Sequence, residues 1–172
     1  NFYIGASHFY DKKGQAGEIA CGVEQLTLDP EQGINYALKT WLTYYLRAMK
    51  ANGFNQLIVS ISMECLQMPE DWKQRMYQGV AGQTGWQPAT AFYSPCNEEV
   101  RLYVRKITKE ILDIVVAEGF PPLLQLGESW FWWQEFLPGA VDVPYEGRPP
   151  CFYDAATKAR FKKELGYELP VY

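Results

Sequence analysis

Two segments of the chain repeat one order of apolar and polar positions. ANGFNQLIVSISME (51–64) and AEGFPPLLQLGE (117–128) each pass from a helix end through Gly-Phe into an apolar run that closes on Glu. Gly53 and Gly119 are 66 residues apart, and Glu64 and Glu128 are 64 apart. A helical period precedes each copy. Ile34, Leu38, Trp41, Leu42, Tyr45, Leu46 and Met49 keep the three-and-four spacing of one face,. Val100, Tyr103, Val104, Ile107, Ile111, Ile114 and Val115 do the same over 97–117,. Asp29-Pro30-Glu31-Gln32 predicts the start of the first helix, with Asp at the N-cap and Pro in the first turn, running to about Asn52,. Gly53 and Gly119 suit the position after a helix end,.

The strands FYIGAS (2–7), NQLIVSISME (55–64) and LLQL before Gly127 are short and apolar, which suits parallel strands covered on both faces,. DKKGQAGE (11–18) reads as a loop,. Residues 65–95 carry Pro69, Gly79, Gly82, Gly85, Pro88 and Pro95 and form a long connection,. Trp72 and Trp86 need burial, so the connection is expected to be ordered and to lie over one end of the sheet,. The alternation of strand and helix predicts an α/β fold of parallel βα units with right-handed crossovers. The chain then reads as one domain over 1–172, or a fragment of one; its first residue, Asn1, fits a piece of something longer.

In this arrangement Glu64 and Glu128 both follow the carboxyl end of a strand, where α/β folds gather their ligand sites. LQLGESWFWW (124–133) sets Glu128 beside Trp130, Phe131, Trp132 and Trp133. Two carboxylates at one mouth with aromatic walls are the parts of a glycoside-hydrolysing site: indole stacks on sugar faces, and an apolar wall keeps one carboxyl protonated as an acid. Trp86 and His8, which follows the first strand, are further candidates for substrate contact. The bland alternative is an ion pair between a strand-end Glu and Arg75 or Arg148, with the Trp residues in the core.

Composition narrows the field. Charged residues are 21% and net charge is −4, which gives no sign of a nucleic-acid partner or an anionic membrane surface,. No apolar run is long enough to span a bilayer. Cys21, Cys65, Cys96 and Cys151 lack close pairing, and His8 is the only histidine, so no metal is expected,. They read as mostly buried thiols, although an even count is compatible with disulfides. Neither a dinucleotide nor a P-loop glycine motif occurs, and no cofactor is expected.

The segments NFYIGASHFYDKKG, LIVSISMECLQMPEDWKQRM, GQTGWQPATAFYSPCN and LQLGESWFWWQEF resemble the TIM-barrel domain of tailed-phage tail proteins, of the non-contractile tail sheath or glycoside-hydrolase-like type. Gln125–Trp133 with PPCFYDAATKARFKKELGYELP (149–170) also resembles the barrel-fold glycoside hydrolases related to β-galactosidases. The resemblance implies part of a (β/α)8 barrel, a place in the virion tail, a cell-surface glycan as ligand, and other tail chains or remaining barrel segments as partners. It implies Glu128 as general acid, Glu64 as second acid/base or substrate contact, and Trp130, Trp132, Trp133, Trp86 and His8 along the substrate. Gly127 stands where the hydrolases carry Asn, and none of Glu135, Glu146, Glu164 and Glu168 ends an apolar strand as their nucleophile does. The nucleophile is then outside this chain or absent. Three functions stay open: a glycan-binding or glycan-cleaving domain, a structural tail module that kept the barrel without the chemistry, and a small-molecule α/β enzyme unrelated to sugars.

Overall fold

The computed structural model describes residues 2–5, 16–20, 23–27, 29–62, 66–83, 91–126 and 150–171. Strand β1 (Phe2–Gly5) is followed by a hairpin of β2 (Ala16–Ala20) and β3 (Val23–Thr27), helix α1 (Tyr36–Ala51) and strand β4 (Ile58–Ser62). Then come the short strand β5 (Leu66–Gln67), a 3₁₀ turn at Glu70–Trp72, helix α2 (Glu98–Ala117), strand β6 (Leu123–Leu126) and helix α3 (Ala155–Leu165). The strands β1, β4 and β6 form one parallel sheet in that order. Ile4 pairs with Ile61, and Ile61 with Leu126. The fold is α/β, as the repeated Gly-Phe-strand unit predicts, but the described strands do not close a full (β/α)8 ring,.

One face of this sheet is covered and carries the core. Ile4, Val59 and Ile61 pack against Leu38, Leu42 and Leu46 of α1 and Val100, Tyr103, Ile107, Ile111 and Val115 of α2, with Leu124 at the margin. The alternate positions Ile58 and Leu123, which face each other in register, are 43% and 38% exposed. Period-two alternation sends them to the opposite face from Val59 and Leu124.

Helix α1 starts later than the sequence predicts. Asp29 does not cap it: its side chain accepts from the Glu31 N–H and its carbonyl from the Gln32 N–H, closing a turn with Pro30 inside,. Asn35 is the N-cap and accepts from the Leu38 N–H at 2.8 Å. Between them the chain belongs to α2. The Ile34 N–H donates to Glu110 at 2.9 Å, and a Cβ on Gly33 would stand 2.4 Å from the same carboxylate. A local Asp-Pro signal serves a turn as well as a helix start, and a partner 76 residues away decides between them,. The far ends of the two helices are also joined. Arg47 makes a two-pronged ion pair with Glu118, and Lys50 donates to the Gly119 carbonyl while lying 4.8 Å from the Phe120 ring centre. Gly53 and Gly119 take φ of 83° and 78°, the left-handed conformation expected after each helix end,.

The hairpin β2–β3 corrects the expected loop at 11–18, since Ala16–Glu18 lie in a strand. The hairpin is antiparallel, and β3 pairs parallel with β5 through Leu26–Leu66 and Thr27–Gln67. This second sheet thus joins an insert between β1 and α1 to one between β4 and α2. Pairing across inserts depends on tertiary placement, which the weak pattern of AGEIA and VEQLT does not announce.

Candidate functional site at the carboxyl edge

Because β1, β4 and β6 run parallel, their carboxyl ends Gly5, Ser62 and Leu126 lie along one edge of the sheet. β4 and β6 are neighbours, as the repeated unit predicts. The chain leaves this edge toward the positions singled out from sequence: His8 after β1, Glu64 after β4 and Glu128 after β6. His8, Glu64, Glu128, Trp86, Trp130, Trp132 and Trp133 all lie outside the described residues, as do Cys21 and Cys65.

Between β4 and α2 the structure describes a braced connection. The connection between β4 and α2 is ordered over 66–83 and 91–97, in keeping with the burial of Trp72. Trp72 is 2% exposed, stacks at a tilt on Tyr103 with ring centres 5.5 Å apart, and donates its indole N–H to Glu99. Main-chain bonds then build a narrow ladder: Gln74 N–H to Phe92 O, Gly82 N–H to Gln74 O, Phe92 N–H to Gly82 O, and Ser94 N–H to Trp72 O. Met76, Phe92, Cys151 and Tyr153 are buried beside it. Gly82 is required by close approach, since a Cβ there would lie 2.6 Å from the Cys151 sulfur and 3.1 Å from the Phe92 ring. Burial pushes the Cys151 thiol up to about 12, which keeps it protonated and unreactive,. Cys96 is a free thiol.

A buried polar cluster ties the third connection to the second. Asp154, 3% exposed, is the N-cap of α3. Its Oδ1 accepts from the Thr157 N–H and from the Ser94 hydroxyl, both at 2.9 Å, and its Oδ2 accepts from the Thr157 hydroxyl at 2.8 Å. The Tyr153 N–H donates to the Arg75 carbonyl, and the Tyr153 hydroxyl to the Pro170 carbonyl. Sequence reasoning passed over this cluster. The Asp-x-x-Thr spacing before α3 is a readable capping pattern, but nothing local points to Ser94, 60 residues away.

Arg75, one of the cations considered for a strand-end glutamate, is engaged elsewhere. Its guanidinium donates to the Glu70 carboxylate and to the Glu70 and Gly79 carbonyls. Hydrogen bonds from Lys73 and then Arg75 hold the Glu70 carboxyl below its ordinary range. The linked stability is present above the unfolded pKa and lost as pH falls through the folded one, and solvent screening at this exposed site keeps it small. Glu164 and Glu168, considered as nucleophiles, are exposed and paired with Arg160 and Lys162.

The family described as non-contractile tail sheath protein TIM barrel matches residues 1–168. The chain belongs to that family. No curated protein and no solved structure matches it. The expected relation to the barrel domains of phage tails therefore holds for this tail sheath domain, whereas the resemblance to β-galactosidase-type hydrolases finds no support in these comparisons. Among the described residues of the tail sheath domain, no helix is long and apolar enough to cross a membrane.

Proposed function

We propose that the protein is a structural domain of a phage tail, one barrel-derived module over 1–172 that is built into the tail sheath beside other tail-protein chains. The family match over 1–168 carries this reading. The bracing of the described connections supports it. Ser94–Asp154 and the packing of Gly82 on Cys151 fasten connections that an enzyme mouth commonly leaves free to move,. The experiment is quantitative mass spectrometry of purified virions and of isolated tails. The chain is expected in both, in many copies per tail; its absence from tails would remove the reading.

A second reading is motivated by the adjacency of β4 and β6, whose carboxyl ends lead into Glu64 and Glu128. Here the domain takes a cell-surface glycan, with Glu128 as acid, Glu64 as second carboxylate, and Trp130, Trp132, Trp133, Trp86 and His8 as contacts. General acid help contributes roughly 10²–10⁴-fold, and a retaining mechanism also needs a nucleophile about 5 Å away. The protein is therefore expected to turn over glycans poorly, even where it binds them. A glycan panel scored for binding and turnover tests this. Robust turnover abolished by Glu128→Gln would make the domain an enzyme with Glu64 as the partner group, while neither binding nor turnover leaves the structural reading.

A further inference from the structure

The two faces of β4 and β6 are built from different residue types. On the helix side, Val59 and Ile61 of β4 are buried in the core, and Leu124 of β6 packs against it. On the other side the residues change along the strands. At the amino end Ile58 stands beside Leu123 in register. Two positions on, Ser60 stands between Tyr3 of β1 and Gln125 of β6. Two further on, Ser62 is in register with Gly5, and the chain then runs to Glu64. Parallel strands covered on both faces are normally aliphatic throughout, and the inner layers of a (β/α)8 barrel are dominated by Val, Ile and Leu. Here the departures fall on one face and in its carboxyl half. Ser60 is 2% exposed, so a hydroxyl takes a central place where an aliphatic side chain would be cheaper to bury,. A break of this kind in an otherwise consistent pattern is expected where function requires it.

We propose that this face of β4 and β6 is the floor of the glycan site and receives one neutral sugar residue end-on, an inference that rests on the glycan reading. Gln125, exposed beside Ser60, both donates and accepts through its amide, and Ser60 does so through its hydroxyl,. Sugar hydroxyls also donate and accept, so one ring can meet both groups. Among the described residues this face carries no charge, which selects a neutral ring over a uronic or sialic acid. Gly5 and Ser62, the row nearest the mouth, are the small residues of the set. Ile58 and Leu123 end the polar surface on the amino side. Ser60 lies two residues inside the strand end, about 7 Å at the usual rise. A glycan that reaches it from the mouth enters by its end and does not lie along the edge.

The test is an NMR titration of the protein with glucose, galactose, mannose and N-acetylglucosamine, and with β-cyclodextrin as a cyclic glycan that has no end. At least one monosaccharide is expected to bind and to shift the backbone amide signals of Ser60 and Gln125, and β-cyclodextrin is not. Ser60→Ala and Gln125→Leu, each checked for unchanged melting, should weaken that binding by about 10-fold, the loss of one hydrogen bond. Sugar binding that Glu128→Gln or Trp132→Ala weakens, but that Ser60→Ala and Gln125→Leu leave unchanged, overturns the floor and keeps the glycan reading. β-Cyclodextrin bound as tightly as the monosaccharides overturns the end-on entry. No binding of any of these sugars or of the wider glycan panel removes the glycan reading and the floor with it.

Discussion

Trp72→Ala is expected to lower the stability of the protein by about 3–5 kcal/mol, the range for truncating a buried large aromatic. Trp72 is 2% exposed, and its ring is the point where the long connection joins the main core beside Tyr103. Its backbone carbonyl also receives the Ser94 N–H at 2.7 Å, so a cavity here loosens the strand pairing that follows. Trp72→Phe keeps most of the volume and loses the indole bond to Glu99. That bond reaches an exposed carboxylate, and its removal should cost only about 1 kcal/mol,. Urea denaturation of the native chain and both variants measures the two costs. An alanine variant within about 0.5 kcal/mol of native, the range of an ordinary surface substitution, would show that the connection is not anchored at Trp72.

The second large effect belongs to Asp154. Its carboxylate accepts the Thr157 N–H, the Thr157 hydroxyl and the buried Ser94 hydroxyl. Asp154→Ala removes an N-cap worth about 1 kcal/mol and leaves the Ser94 hydroxyl short of a partner, which costs about 1–3 kcal/mol more. The expected total is about 2–4 kcal/mol. Asp154→Asn keeps a good capping oxygen, so it should cost less than alanine. Hydrogen exchange resolves where the loss falls: protection should drop at the Thr157 amide and at the Tyr153 amide, which donates to Arg75 O. Unchanged exchange at both amides in the alanine variant would mean that Asp154 does not fasten the third connection to the second.

The features that the sequence by itself determined are the local and periodic ones. Leucines and isoleucines at three-and-four spacing place α1 and α2, because a helix buries one face whatever it packs against. Gly53 and Gly119 mark both helix ends, because a side chain is strained at positive φ,. The apolar runs of β4 and β6, each after Gly-Phe, predict neighbouring parallel strands, and Val59 opposite Leu124 is that prediction in register. The positions of Glu64 and Glu128 after those strands are likewise a matter of sequence order alone. Tertiary structure decided what depends on partners far along the chain. Glu110 turned Asp29–Ile34 from a helix start into a turn, since a carboxylate from α2 accepts the Ile34 N–H. The β3–β5 pairing and the Ser94–Asp154 bond join inserts whose sequences carry no mark of one another. The exposure of Tyr36, Trp41 and Tyr44 was also a tertiary outcome. Periodicity put Trp41 and Tyr45 on the apolar face with Leu38 and Leu42, and packing chose the leucines, because an aliphatic side chain fills the space between helix and sheet that an indole would overfill.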